Sequence, residues 1–416
     1  MIMYRPGGFS EFAPEQQKVF DAILATLTRV FEQHNFEHIW TPAVESVDIL
    51  KKGGDIIDKQ VYGLFGLAQW VEDVKDYGLH FDLTIPLARY VLDHRNELSF
   101  PFRRYQMQPV WRGEKTKRGR FKEFWQFDID AVWPSESNMW LRYDIEALAV
   151  LSKSMKAVCD TFHINIDSVL KISHIGLTKS FLSSNGLDEV AMSQVLGLLD
   201  DYFKVTHEEF EKKLQPLVSP ELFATICTLI KTKDYALLSD YQWYEDLHTI
   251  LSGLKALEVP FEYDICIVRG HGYYKGMVCE RFDTQDISLG SLAGWGRYDN
   301  VTDFIDPKQS FSWVGASLGR FVYLAIDKIG ALPLVDKYLF VNFADTRDDI
   351  IALYNQFIFD GKTCELYPMP AKIGKQFEYA DKKSIRYAIL YGDSEKQWWY
   401  YIQKDLISWQ QEQISL

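Results

Sequence analysis

Apolar residues recur at helical spacing soon after Pro14. Val19, Phe20, Ile23, Leu24, Leu27, Val30 and Phe31 fall on one face, and the proline suits a first helical turn. The pattern predicts a helix with one buried side. The next stretch, FEHIWTPAVES, reads as a strand that ends at Pro42, because a proline cannot donate to a sheet ladder. In YGLHFDLTIPLARYVLDH a short strand-like run around Asp82 and Thr84 gives way to a helix opening near Pro86. FRRYQMQPVWRGE and FKEFWQFDIDAVW both alternate apolar and polar positions, and a basic run separates them. Two alternating segments joined this way predict a hairpin with a long charged loop.

From about residue 177 to 258 the alternation disappears and helical spacing with acid-rich stretches replaces it, which predicts a helical insertion. Strand signals return in YDICIVRGHGYYKGMVCERFD, SLAGWGRYDNV and SWVGASLGRFVYLAI, the last turning into a helix. The pattern resets around KIGALPLVDKY. From Tyr338 it runs strand, helix, strand, helix, strand, an α/β arrangement of its own. The expected division is therefore 1–176 and 259–332 for the two parts of one α+β domain, 177–258 for the insertion, and 333–416 for a separate C-terminal domain. No internal repeat or low-complexity segment is visible.

Composition narrows the function. A chain of 416 residues with 47% apolar positions can bury more than one core. Its formal charge of −13 argues against a protein coated in nucleic acid, so any polyanion must meet local basic patches. Cys159, Cys227, Cys266, Cys279 and Cys364 are scattered without a C-x-x-C pair, which suggests reduced thiols and no zinc or other metal site. The opening MIMYRPGGFSEFAPEQQ lacks the marks of a signal peptide, and no segment has eighteen consecutive apolar residues. A soluble, cytoplasmic protein with no membrane partner is expected.

There is no G-x-x-x-x-G-K-[ST] loop, so a bound nucleotide would have its phosphates held by side chains. Arg112, Arg120 and Arg269 are the candidates, since a guanidinium can clamp phosphate oxygens through two parallel hydrogen bonds. A charged loop on its own is more often a solvated loop. Residues 371–387 form a second basic stretch, with Lys372, Lys375, Lys382 and Lys383, which is also compatible with a solvated helix face. Gln126 and Asp130 are four apart, so a strand would place both on one face, able to line a pocket together. An alternating strand must bury one of Tyr273 and Tyr274, so core packing competes with function there.

WRGEKTKRGRFKEFWQFDID resembles the motif 2 hairpin of class II aminoacyl-tRNA synthetases, with Arg112-x-Glu114, a basic loop, Gly119-Arg120-Phe121 and a closing Gln126. VRGHGYYKGMVCE, AGWGRYDNV and FDLTIPLARYV each resemble segments of the histidyl-tRNA synthetase family, and KIGKQFEYADKKSIRYAILYGDSE resembles the anticodon-binding domain shared by several class II synthetases; the similarity runs in the family's order from about residue 5 to 410. The resemblance implies an antiparallel sheet flanked by helices and a C-terminal anticodon-binding domain. It implies ATP, Mg2+, histidine and tRNA(His) as ligands or partners, and a homodimer. Arg112 and Arg269 would be catalytic, with Glu114, Arg120 and Arg320 also at ATP. Asp82, Thr84 and Gln126 would hold the histidine ammonium, and Asp130 and Tyr274 the imidazole, with Tyr273 and Tyr298 in the same pocket. Lys115, Lys117, Arg118, Lys372, Lys375, Lys382 and Lys383 would meet tRNA.

Three positions depart from the family pattern. Gly272 stands where an acid is usual, Lys275 where a small polar residue is common, and Val322 where motif 3 ends in an arginine that packs on adenine. Arg320 is two residues early, a turn of about 200° on a helix. Two readings follow. One is a histidine–tRNA ligase, and the other is a noncatalytic paralogue that binds histidine or RNA, of the type of the ATP phosphoribosyltransferase regulatory subunit. The joint presence of Arg112, Glu114, Gln126 and Arg269 and the presence of a C-terminal domain favour the ligase.

Overall fold

The computed structural model describes residues 6–51, 60–66, 76–113, 121–135, 140–268, 274–299, 301–333, 336–343 and 347–416. It divides into two units, Met1–Ala331 and Leu332–Leu416.

The first helix, α1 (Pro14–Gln33), buries Val19, Phe20, Ile23, Leu27, Val30 and Phe31, the stripe that the apolar spacing predicts, with Pro14 in its first turn. Short β1 (Glu37–His38) follows. A small sheet, ordered β2-β4-β3, comprises β2 (Val44–Ser46), β3 (Gly63–Leu64) and β4 (Tyr77–Leu79), and α2 (Val47–Leu50) leaves its first strand. Helix α3 (Thr84–His94) then buries Ile85, Pro86, Leu87, Ala88, Val91 and Leu92.

The centre of the first unit is an eight-stranded sheet. Its strands are β1, β5 (Phe102–Trp111), β6 (Glu123–Pro134), β7 (Ser168–His174), β8 (Glu262–Tyr263), β9 (Met277–Asp283), β10 (Ser291–Arg297) and β11 (Phe311–Ser317), in the spatial order β1-β5-β6-β11-β10-β9-β7-β8. The outer pairs β1–β5 and β7–β8 are parallel and the inner pairs antiparallel. Helix α4 (Trp140–Phe162) follows the β5–β6 hairpin, and its buried Asp144 bonds Arg297 of β10 at 2.7 Å.

Between β7 and β8 come α5 (Ile175–Ser184), α6 (Glu189–Asp200), α7 (His207–Leu214), α8 (Pro220–Thr232) and α9 (Tyr244–Ala256), all within the first unit. Asp188, Thr206 and Ser219 cap three of these helices through their side-chain oxygens, which is why the segment breaks where it does. Buried Asp264 ties the segment to the sheet, taking Lys171 of β7 at 2.8 Å and Lys233, just past α8, at 2.7 Å. After β11, α10 (Gly319–Ile329) closes the unit.

The second unit has its own sheet, ordered β13-β12-β14-β15-β16, from β12 (Lys337–Phe340), β13 (Thr363–Leu366), β14 (Tyr387–Leu390), β15 (Tyr400–Asp405) and β16 (Gln411–Ser415). Strands β12, β13 and β14 are parallel and β15 and β16 return antiparallel. Its helices are α11 (Arg347–Phe359), α12 (Ile373–Lys382) and α13 (Asp393–Gln397). Phe340, Ile350, Leu353, Phe357, Ile389 and Tyr401 form one core cluster, so this unit buries apolar surface independently. No described helix is long and apolar enough to cross a membrane.

Candidate active site

Strand alternation places Arg104, Gln106 and Gln108 on one face of β5, and Gln126, Asp128 and Asp130 on the matching face of β6. Register completes the arrangement: Arg104 faces Asp130, Gln106 faces Asp128 and Gln108 faces Gln126. Arg104, Gln106, Gln108, Asp128 and Asp130 are all buried, where a polar group must find partners. Thr41 supplies some of them. Gln106 Nε2 donates to its Oγ1 at 2.8 Å, Gln108 Nε2 to its carbonyl at 2.9 Å, and its own N–H donates to Gln108 Oε1 at 3.1 Å.

The Arg104–Asp130 pair continues across the sheet. Asp130 faces Gly315 of β11, and Gly315 faces Gly296 of β10. Both glycines are dictated by what lies over them. A side-chain carbon at Gly315 would fall 2.1 Å from Asp130 Oδ1 and 2.4 Å from the Tyr298 hydroxyl oxygen, and one at Gly296 would fall 2.6 Å from the Tyr274 ring. Tyr274 and Tyr298 meet edge to face with centroids 6.0 Å apart. Asp130, Tyr274 and Tyr298, three of the residues expected in the histidine pocket, thus converge on two adjoining glycines.

Electrostatics here are dominated by burial. It pushes the Asp128 carboxyl up to about 6 and the Asp130 carboxyl well above its ordinary range, with the Arg104 charge opposing both shifts. Arg104 Nη2 lies 2.6 Å from Asp130 Oδ2, an ion pair by distance without the alignment of a hydrogen bond. Among the described residues Asp130 Oδ1, Asp128 Oδ1 and Gln126 Oε1 have no hydrogen-bond partner. Three oxygens on one strand face are therefore poised as acceptors.

Asp82 sits at the start of α3, where its Oδ1 accepts the N–H groups of Thr84 at 3.1 Å and Ile85 at 3.2 Å; Thr84 itself is half-buried. Arg112, at the end of the hairpin's first strand, packs on the rings of Phe81 at 4.3 Å and Phe124 at 4.9 Å and donates to the Phe81 carbonyl at 3.3 Å. Phe81 precedes Asp82 directly, so Arg112 is fixed to the segment that carries that acid.

Arg320 turns to the preceding loop: its Nη1 donates to the Leu289 carbonyl at 2.6 Å, beside Gly290, whose φ of 71° suits a glycine. Val322, aligned with the motif 3 arginine, is fully buried in α10 beside Phe321, Ala325 and Ile326. Lys275 is exposed. Lys372, Lys375, Lys382 and Lys383 are exposed along α12 and its two flanking residues in the second unit. Glu114, Lys115, Lys117, Arg118, Arg120, Arg269, Gly272 and Tyr273 lie outside the described residues. Sequence reading missed Arg104 and Asp128. The signal available was their even spacing, since RRYQMQ and QFDID carry polar residues at every second position of segments whose apolar neighbours also need burial.

Comparison with known proteins finds relatives over nearly the whole chain. The family described as histidyl-tRNA synthetase matches residues 8–319. The histidine–tRNA ligase of Clostridium acetobutylicum is 31% identical, with 98% of this chain and 97% of that protein aligned. That of Christiangramia forsetii is 30% identical over 94% and 92%. Among solved structures, the histidyl-tRNA synthetase from Nostoc sp. PCC 7120 superposes with a TM-score of 0.83 at 28% identity, covering 100% of this chain and 97% of that one. An ATP phosphoribosyltransferase regulatory subunit/histidyl-tRNA synthetase from Bacillus halodurans reaches 0.74 at 17% identity, covering 91% and 97%, a likeness of fold alone.

The mixed sheet flanked by helices is that of a class II aminoacyl-tRNA synthetase. Within that class, the chain belongs to the histidyl-tRNA synthetase family.

Proposed function

We propose that the chain is a histidine–tRNA ligase, which activates histidine with ATP and passes it to the 3′ end of tRNA(His). The observation that carries this reading is the convergence of Asp130 Oδ1 and the Tyr298 hydroxyl over Gly315, with Tyr274 beside them over Gly296. A neutral imidazole offers one donor and one acceptor, and a carboxylate with a hydroxyl can meet both.

In activation, an oxygen of the histidine carboxylate attacks the ATP α-phosphorus and pyrophosphate leaves. In transfer, a hydroxyl of the terminal tRNA ribose attacks the acyl carbon and AMP leaves. The protein contributes positioning and charge. Asp82, Thr84 and Gln126 hold the ammonium. Arg112, fixed against Phe81 and Phe124, holds the α-phosphate, a role shared with Arg269. Glu114 and Arg120 complete the nucleotide contacts, and Tyr273 the histidine pocket. Mg2+ would enter with ATP and offset the charge of its phosphates.

Lys115, Lys117 and Arg118 of the hairpin loop take the acceptor end, and Lys372, Lys375, Lys382 and Lys383 the anticodon side. Their exposure in an acidic protein supports the second set. A homodimer in the cytoplasm is the expected form. Exposed Trp40, Val44 and Tyr77, on and beside the small sheet, support a partner copy there. The deciding experiment is histidine-dependent exchange of pyrophosphate into ATP, followed by charging of tRNA(His). Exchange with no histidine dependence rejects the reading.

A further inference from the structure

Arg104 has no role in the mechanism above, yet it is fully buried on the face of the sheet that carries the site. A guanidinium in that position gives up its hydration, a cost that a counter-charge must offset, so its presence calls for a reason. Its compensating charge is Asp130, cross-strand partner and ion-pair partner at 2.6 Å. Only one oxygen of Asp130 is engaged in this way. The other, Oδ1, lies above Gly315 beside the Tyr298 hydroxyl, buried and without a hydrogen-bond partner among the described residues. Three carboxyl groups act on one another here, with Asp82 and Asp128 both opposing ionisation of Asp130. Without a counter-charge, the favourable outcome for a buried carboxyl would be to take up a proton, and a protonated acid donates as well as accepts.

We propose that Arg104 is a specificity-determining positioning residue: it sets a counter-charge on Oδ2 of Asp130, so that Oδ1 is left as the acceptor and the pocket takes only a ring that presents an N–H there. Arg104 touches no substrate in this account and acts through Asp130. The inference rests on the reading of the site as a histidine pocket. It adds a chemical selection rule. Histidine satisfies the acceptor, whereas an N-methylhistidine whose methyl group replaces that N–H does not, and it also leaves a buried charge unpartnered.

The test uses the full chain with Arg104→Met, Arg104→Lys, Asp130→Asn and the double variant Arg104→Met/Asp130→Asn. Pyrophosphate exchange gives KM for histidine and for ATP, and calorimetry gives direct binding of histidine and of the two N-methylhistidines. Arg104→Met is expected to raise the histidine KM by about 10- to 100-fold, the worth of one hydrogen bond to a charged group, with the ATP KM held. Its discrimination against the methylated rings should narrow. Arg104→Lys should restore most of both. Removing Arg104 should add little once Asp130 is already asparagine.

If Arg104→Met leaves histidine KM and ring discrimination at parental values, or if its effect multiplies in full with that of Asp130→Asn, the proposal is overturned. Should Arg104→Met fail to fold, Arg104→Lys carries the test: a folded lysine variant with no more histidine affinity or discrimination than Asp130→Asn overturns it equally. A parent protein that binds histidine without exchanging pyrophosphate removes the ligase reading, while the calorimetric arms still decide Arg104. A parent that binds no histidine removes both.

Discussion

Asp130 and Gly315 face each other across β6 and β11, and a side-chain carbon at Gly315 would lie 2.1 Å from Asp130 Oδ1. The absence of a side chain on one strand is thus what allows the carboxylate of the other to reach over the sheet. Gly315→Ala should push that oxygen aside, at an overpacking cost of about 1–3 kcal/mol. The expected signature is a rise of about tenfold or more in the histidine KM as a charged hydrogen bond is lost, with the ATP KM held. Steady-state exchange kinetics with a thermal melt would check it. Unchanged histidine affinity in a folded Gly315→Ala protein would place the ring elsewhere.

Arg320 and Val322 settle a different question. With its Nη1 on the Leu289 carbonyl, Arg320 is committed to the turn before β10. Arg320→Ala should therefore lower stability by about 1–3 kcal/mol through loss of a charged hydrogen bond, with little change in ATP affinity. Restoring the family residue by Val322→Arg should destabilise the protein strongly, because it buries an unpaired guanidinium against Phe321, Ala325 and Ile326. Urea unfolding and ATP titration of the two variants would separate these effects. A large loss of ATP affinity in Arg320→Ala would show that the arginine serves adenine after all.

Periodicity carried much of the fold. The stripe from Val19 to Phe31, the alternation on either side of the basic run and the helical spacing after residue 177 each became the expected element, because each burial pattern is local to its element. The shared face of Gln126 and Asp130 was legible for the same reason. Arg104 was not, since its meaning depends on the register between β5 and β6, set across a long loop. Gly315 was less legible still: its partner Asp130 is brought to it by pairing between strands far apart in sequence. The burial of Val322 beside Phe321, Ala325 and Ile326 gives a reason to expect that an arginine there is costly, where the sequence alone could register only a departure.

Burial raises the Asp128 carboxyl to about 6, which gives stability a defined pH dependence. Between the ordinary carboxylate range and about 6, the folded protein holds a proton that the unfolded chain has lost, so this group favours folding at low pH and ceases to do so as pH rises through about 6. Asp128→Asn removes the titration. Relative to the parent, the variant should therefore gain stability as pH rises from about 4 to about 6 and level off above. Chemical unfolding midpoints at several pH values would check the sign. A parent-minus-variant difference that is flat across pH 6 would mean Asp128 is already charged well below that value.

The two units each bury their own apolar cluster, with Phe340, Phe357, Ile389 and Tyr401 internal to Leu332–Leu416 and the Asp130–Gly315 row internal to Met1–Ala331. A protein ending at Ala331 should therefore fold and exchange pyrophosphate with a parental KM for histidine. If exposed Lys372, Lys375, Lys382 and Lys383 contact tRNA, that truncation should weaken charging chiefly through the KM for tRNA. Changing those four lysines to glutamine in the full chain should reproduce part of the loss and flatten its salt dependence, since each phosphate contact contributes about 0.7–0.9 to the slope of log affinity against log salt. Charging assays of the truncated and substituted proteins across a salt series would check both expectations. A truncated protein that activates histidine and also charges tRNA with parental KM would remove the second unit from tRNA recognition.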